Sequence, residues 1–210
     1  SGMAAIIGKN ADYIDDVIKK NNLKVVIAND NSPMQVVVSG LTEDIISSEQ
    51  VFSENGVKRY VKLNVSAAFH SNLMNDAQLE LINEIDKINF KNINMPIISN
   101  YDSTINSNID SIIYALKNQM ANRVRWTDSI KKLEETNTTQ IIEIGPGKVL
   151  SGLIKRIDKN AITNSINSEE DIKKIIEIGP GKVLSGLITR ITKKFDIVSI
   201  DKIEDLKKLN

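Results

Sequence analysis

Two rhythms of apolar positions run through residues 1–65. Met3-Ala4-Ala5-Ile6-Ile7 is an unbroken apolar run closed by Gly8, the pattern of a short buried strand. Ala11, Ile14, Val17 and Ile18 then recur at helical spacing behind Asn10, a good N-cap residue, and Asn21-Asn22 ends that helix. A second strand is expected over 23–28 and a third over 35–39, with Asn29-Asp30-Asn31-Ser32-Pro33 as the turn between them. Thr42, followed by Glu43 and Asp44, opens a second helix that stops near Asn55-Gly56. A fourth strand over 57–65 completes βαββαβ, a ferredoxin-like split unit.

The pattern then changes. A helix is predicted over 72–88, with Leu73, Met74 and Leu81 as core positions. A strand over 96–99 and helices over 109–119 and 127–135 follow. The strand Ile141-Ile142-Glu143-Ile144 ends at Gly145-Pro146-Gly147. Apolar strands between helices predict a parallel sheet covered on both faces, so the fold class is α/β. The sequence IIEIGPGKVLSGLI of 141–154 recurs unchanged at 175–188, an offset of 34 residues. A glycine-proline-glycine turn after a strand-like run argues against a paired-helix repeat, and two copies are too few for a solenoid. The repeat therefore reads as a duplicated strand–helix–strand element, with the first copy as the one the sheet takes. Three segments result: 1–65, 66–174 and the duplicate, 175–210.

Composition narrows the function. Lys plus Arg number 27 and Asp plus Glu number 27, so no net field favours nucleic acid or an anionic membrane. With no cysteine, disulfides, thiolate metal sites and a cysteine nucleophile are excluded, and a single histidine excludes a multi-histidine metal centre. No apolar run reaches membrane-spanning length and no signal-peptide pattern opens the chain, so a cytoplasmic location is expected. Ser1-Gly2 leads straight into a strand, which reads as a trimmed N-terminus.

Few residues offer chemistry. His70 stands where a strand gives way to a helix, the place where α/β proteins expose reactive groups, and imidazole suits proton transfer near neutral pH. By position alone, a histidine satisfied by a nearby backbone group is the stronger of the two readings. Gly145-Pro146-Gly147-Lys148 has neither the spacing nor the following hydroxyl of a phosphate loop, though a strand-to-helix turn with exposed amides can bind an anion weakly. Lys58, Arg59 and Lys62 form a small basic group. No Gly-x-Ser-x-Gly elbow occurs in the 210 residues, so a histidine base has no recognisable serine beside it.

Five segments in order, MAAIIG (3–8), NSPMQVVVSG (31–40), VSAAFHSNLM (65–74), QMANRVRW (119–126) and IIEIGPGKVLSGL (141–153), resemble those of malonyl-CoA:acyl-carrier-protein transacylases. The resemblance implies a ferredoxin-like βαββαβ subdomain followed by the C-terminal part of an α/β-hydrolase-like acyltransferase domain. It places the serine elbow, an oxyanion glutamine and a malonate-binding arginine upstream of this sequence. It implies ping-pong transfer of malonyl from coenzyme A to the phosphopantetheine thiol of acyl carrier protein in fatty-acid synthesis. The coenzyme A thioester is the substrate, and no cofactor, nucleic acid or membrane takes part. In that scheme His70 is the general base and the backbone carbonyl of Gln119 orients its ring. Asn29 and Asn31 approach the thioester arm, while Lys58, Arg59 and Arg156, with Arg190 repeating Arg156, meet the acidic carrier or coenzyme A phosphates. Three positions depart from the family pattern. Met34 stands for a glycine and is expected to strain its turn, and Ala68 and Arg123 stand for prolines, removing rigidity. The absent serine motivates an alternative, a fragment or pseudo-enzyme that binds the carrier or the missing half without turnover. A nucleic-acid-binding ferredoxin-like module is disfavoured, because the third strand carries no stacking aromatics.

Overall fold

A computed structural model of the chain describes residues 1–168 together with two short strands at Glu177–Ile178 and Ser199–Ile200. The predicted βαββαβ order appears as β1 (Gly2–Ile7), α1 (Ala11–Lys20), β2 (Val26–Ser32), β3 (Gln35–Gly40), α2 (Thr42–Glu54) and β4 (Arg59–Lys62). The four strands form one antiparallel sheet in the order β2-β3-β1-β4. Residues of β1 alternate across it. Ala4 and Ile6 join Val36, Val38, Ile14, Ile45 and Phe52 in a core under the two helices, while Met3 and Ala5 meet Ala28 and Val37 on the other face. Both faces are therefore apolar, which is why the strand sequence shows no polar alternation. Asn10 caps α1 through its side chain, which accepts from the Tyr13 amide at 3.0 Å. The capping position of α2 is Leu41, so Thr42 is its first helical residue.

The expected turn over 29–33 is not a turn. β2 continues through Ser32, and only Pro33-Met34 turns. Two register shifts in the β2–β3 pair accommodate the polar residues, with Asn29 opposite Val37 and Asp30 opposite Val36. Tertiary pairing has overridden local turn preference. Met34 is not among the residues with positive φ, so the strain expected from replacing glycine is absent. The fourth strand is shorter than predicted, at Arg59–Lys62.

Beyond it come a 3-10 turn at Asn72–Met74, α3 (Asn75–Ile85), β5 (Ile97–Ile98), β6 (Ile105–Asn106), α4 (Ile109–Gln119) and α5 (Trp126–Glu134). Next are β7 (Ile141–Ile144), α6 (Val149–Ile157), β8 (Thr163–Ile166), β9 (Glu177–Ile178) and β10 (Ser199–Ile200). The predicted helix over 72–88 is thus two elements, and Leu73, expected in the core, is exposed. β5 pairs antiparallel with β6, a strand the pattern did not reveal, whereas β7 and β8 are parallel. Among the described residues no doubly covered parallel sheet forms: β8 is the one neighbour of β7 among them, and Ile144 is 62% exposed. β9 and β10 repeat the β7–β8 register at the offset of the sequence repeat. Glu177 pairs with Ser199 as Glu143 does with Ser165, and Ile178 with Ile200 as Ile144 does with Ile166. The remainder of the second copy, Arg190 included, lies outside the described residues.

The chain divides into two compact units, 1–139 with 153–161, and 140–152 with 162–210. The expected boundary at residue 65 falls inside the first, where α5 runs against β2.

Candidate functional site

Between β4 and the 3-10 turn the backbone of His70 adopts φ +58°, in the left-handed region. That conformation costs an L-residue roughly 1–2 kcal/mol and persists only where neighbours over-determine it. The neighbours here are specific. The His70 amide donates to the Met120 carbonyl at 3.0 Å, and Nδ1 lies 3.1 Å from the Gln119 carbonyl oxygen. Ser71, 2% exposed, donates from Oγ to the Ala68 carbonyl at 2.6 Å and accepts from the Leu73 amide at 3.3 Å.

Gln119 is the last residue of α4, so its carbonyl is one of those a helix end leaves without an intrahelical donor. It accepts the Asn122 amide at 3.3 Å as well as the imidazole. Because a carbonyl can only accept, Nδ1 carries the proton of the neutral ring and Nε2 keeps the lone pair. The half-buried ring is held in this way in one tautomer and one direction.

The loop that supplies both carbonyls is tied to the small sheet. Val124 forms a parallel bridge beside Asn29, donating to the Ala28 carbonyl at 2.8 Å and accepting from the Asp30 amide at 2.9 Å. The Asp30 carboxylate, 6% exposed as a residue, accepts Arg123 Nη2 at 2.8 Å and Thr127 Oγ1 at 2.7 Å. Sequence reasoning missed Met120 and the Asp30–Arg123 pair. The partners are 93 residues apart, and the one clue was an arginine where the family pattern has proline.

Asn29 and Asn31 are half-buried on β2, and Asn31 lies beside the turn end of the sheet. The basic residues share that end. Arg59 and Gln35 both pair with Ile7, on either side of it, and exposed Arg156 reaches Gln35 Oε1 from Nη1 at 2.7 Å. Lys58 precedes Arg59 and lays its stem over Gly8. Register thus gathers Lys58, Arg59 and Arg156 at one edge, away from the 69–71 segment in the chain.

The turn after β7 holds a carboxylate of its own chain. The Leu150 and Ser151 amides at the start of α6 donate to Glu143 at 3.0 and 2.8 Å, and Ser151 Oγ adds a bond of 2.6 Å. Bonding from the Ser151 hydroxyl and then its amide holds the Glu143 carboxyl below the ordinary carboxylate range. The Leu150 and Ser151 amides are thus already bound to a carboxylate.

Residues 2–179 match the family described as acyl transferase domain. The chain belongs to that family. Among its relatives, the acyl transferase called malonyl CoA-acyl carrier protein transacylase in Bacillus subtilis (strain 168) is 38% identical over 175 residues, covering 81% of this chain and 55% of the relative. Polyketide biosynthesis protein PksE of the same organism is 40% identical over 163 residues, covering 76% of this chain and 21% of its own. The crystal structure of malonyl-CoA:ACP transacylase from Synechocystis sp. PCC 6803 superposes with TM-score 0.76 at 32% identity, over 83% of this chain and 58% of that one. A malonyl-transacylase in complex with a type II polyketide acyl-carrier protein superposes with TM-score 0.77 at 34% identity, over 81% and 56%. This acyl transferase chain therefore spans little more than half the length of the transacylases it matches. Among the described residues, no helix is long and apolar enough to cross a membrane.

Proposed function

We propose that this chain supplies the basic half of an acyl-transfer site that moves malonyl from coenzyme A to the phosphopantetheine thiol of an acyl carrier protein. The observation that carries the reading is His70, held in a left-handed conformation with Nδ1 on the Gln119 carbonyl. In this scheme a serine of the family's elbow gives its proton to His70 Nε2 and attacks the thioester carbon. The coenzyme A thiolate leaves and takes the proton back from the imidazolium. The resulting malonyl ester is then opened by the carrier thiol, whose proton passes through Nε2 to the serine oxygen. The Gln119 carbonyl does what a carboxylate does in other triads, fixing the tautomer and supporting the charged ring. Because the 210 residues hold no Gly-x-Ser-x-Gly elbow, the nucleophile comes from another polypeptide segment. Asn29 and Asn31 approach the thioester arm, and the basic edge of Lys58, Arg59 and Arg156 meets phosphates or the acidic carrier. Polyketide biosynthesis proteins among the relatives add a second source of carrier to that of fatty-acid synthesis, and the reaction is the same with both. The cytoplasm, where coenzyme A thioesters are made, is the fitting location.

The test mixes this chain with the part of the Bacillus subtilis transacylase that it does not cover, adds malonyl-CoA and holo carrier, and follows malonyl-carrier by mass spectrometry. Transfer is expected only with both pieces and is abolished by His70→Ala. Transfer that survives His70→Ala overturns the reading. The absent elbow motivates a second reading, a carrier-binding module without turnover. Carrier binding with no transfer in the mixed assay is its signature.

A further inference from the structure

The segment between α4 and α5 joins two parts of the first unit that are far apart in sequence. At one end the Gln119 and Met120 carbonyls hold the ring and backbone of His70. At the other, Val124 lies along β2, Arg123 binds Asp30 and Thr127 binds the same carboxylate. Between them the Ala121 amide donates to Gln78 Oε1 of α3 at 2.9 Å, and the Arg125 amide to the Asn100 carbonyl at 2.8 Å.

These ties are not equivalent. The bonds to Ala28, Asp30 N and Asn100 are backbone to backbone and survive any side-chain change. Those to the Asp30 carboxylate depend on two side chains, Arg123 of the α4–α5 segment, which acts as a strap, and Thr127 at the start of α5. A buried carboxylate must be paired, so Asp30 pulls Arg123 and Thr127 to fixed positions, one on each oxygen. Arg123 is three residues from Met120 and four from Gln119. A single turn, closed by the Asn122 amide on the Gln119 carbonyl, is all that separates Arg123 from the two carbonyls, so a displacement of Arg123 bears directly on them. A rigid proline at this place would restrict the backbone locally; here an arginine anchors it to another element instead.

We propose that Asp30 and Arg123 are positioning residues for His70, an ion-pair latch between β2 and the strap that keeps the Gln119 carbonyl on Nδ1. The inference rests on the reading of His70 as the base, but its first test does not require turnover. His70 is the sole histidine of the chain, so its ring nitrogens give one unambiguous pair of signals. With uniformly ¹⁵N-labelled chain at about pH 9, where imidazole is neutral, nitrogen shifts and couplings report the tautomer directly. The intact chain is expected to hold the Nδ1–H form. Arg123→Met shifts it toward the Nε2–H form, and Arg123→Lys restores it in large part. Asp30→Asn combined with Arg123→Met removes both charges, so no buried ion is left unpaired if the single variant fails to fold. An Nδ1–H population unchanged in a folded Arg123→Met or double variant overturns the latch.

In the complemented transfer assay the latch predicts a fall in kcat of about tenfold to a hundredfold for Arg123→Met, the scale of a misplaced catalytic group. KM for malonyl-CoA is expected to stay within about twofold, because Asp30 is buried with both oxygens already engaged by the protein. A tautomer shift together with transfer indifferent to His70→Ala retains the latch and removes the catalytic reading. An unmoved tautomer with transfer sensitive to His70→Ala does the opposite.

Discussion

At the scale of single residues, the conformation of His70 and its chemistry make separable demands. Asparagine tolerates the left-handed region better than most side chains, and valine tolerates it poorly. His70→Asn is therefore expected to unfold within about 1 kcal/mol of the parent, while His70→Val loses about 1–3 kcal/mol, both read by urea titration. Both abolish transfer in the complemented assay, so a large stability loss in the asparagine variant would contradict the conformational account. Gly8 makes a second demand of this kind. Its φ is +107°, and a Cβ added there would sit 2.7 Å from Lys58 Cγ. Gly8→Ala is expected to cost about 1–3 kcal/mol from the backbone alone. It also displaces the Lys58 stem from the basic edge, which a weaker response to carrier would reveal.

At the scale of elements, the β7–α6 turn is held by one carboxylate. The folded-state pKa of Glu143 lies below its ordinary value of 4.5, through bonds from the Ser151 hydroxyl and amide. A depressed pKa contributes stability that is present above the ordinary value and is lost as pH falls through the lowered one. Hydrogen exchange at the Leu150 and Ser151 amides is therefore expected to lose protection as the pH drops below the ordinary glutamate range. In Glu143→Gln the protection is weaker and independent of pH over that interval. Protection in the parent that holds steady through acidification would show that the turn, and not the carboxylate, fixes these amides.

At the scale of the whole molecule, the antiparallel register gathers the basic residues. Lys58, Arg59 and Arg156 come from two distant stretches of sequence, yet pairing of Arg59 and Gln35 with Ile7 places them at one sheet edge. If this edge receives the carrier, replacing Arg59 and Arg156 by glutamate weakens carrier binding by about tenfold or more at low salt. The difference shrinks at high ionic strength, where exposed charges are screened. Isothermal titration with holo carrier at two salt concentrations measures both effects. Affinity untouched by the double reversal would move the docking surface elsewhere.

The hydrophobic pattern alone determined the element order of residues 1–65, the helix over 109–119 and the strand over 141–144. In those stretches local periodicity and burial agree, so each residue's neighbours in sequence are enough to predict it. Short motifs in order led to the expectation that the Gln119 carbonyl meets the His70 ring, and that contact is present. Tertiary structure alone decided the rest. It drew Asn29 and Asp30 out of a turn and into a strand, because Val36, Val37 and the Val124 bridge satisfied their backbone. It paired Asp30 with Arg123 across 93 residues, and it closed the Gly-Pro-Gly turn over Glu143. Sequence spacing cannot reveal such contacts, since a buried charge or an unpaired helix end takes whichever partner the fold brings within reach.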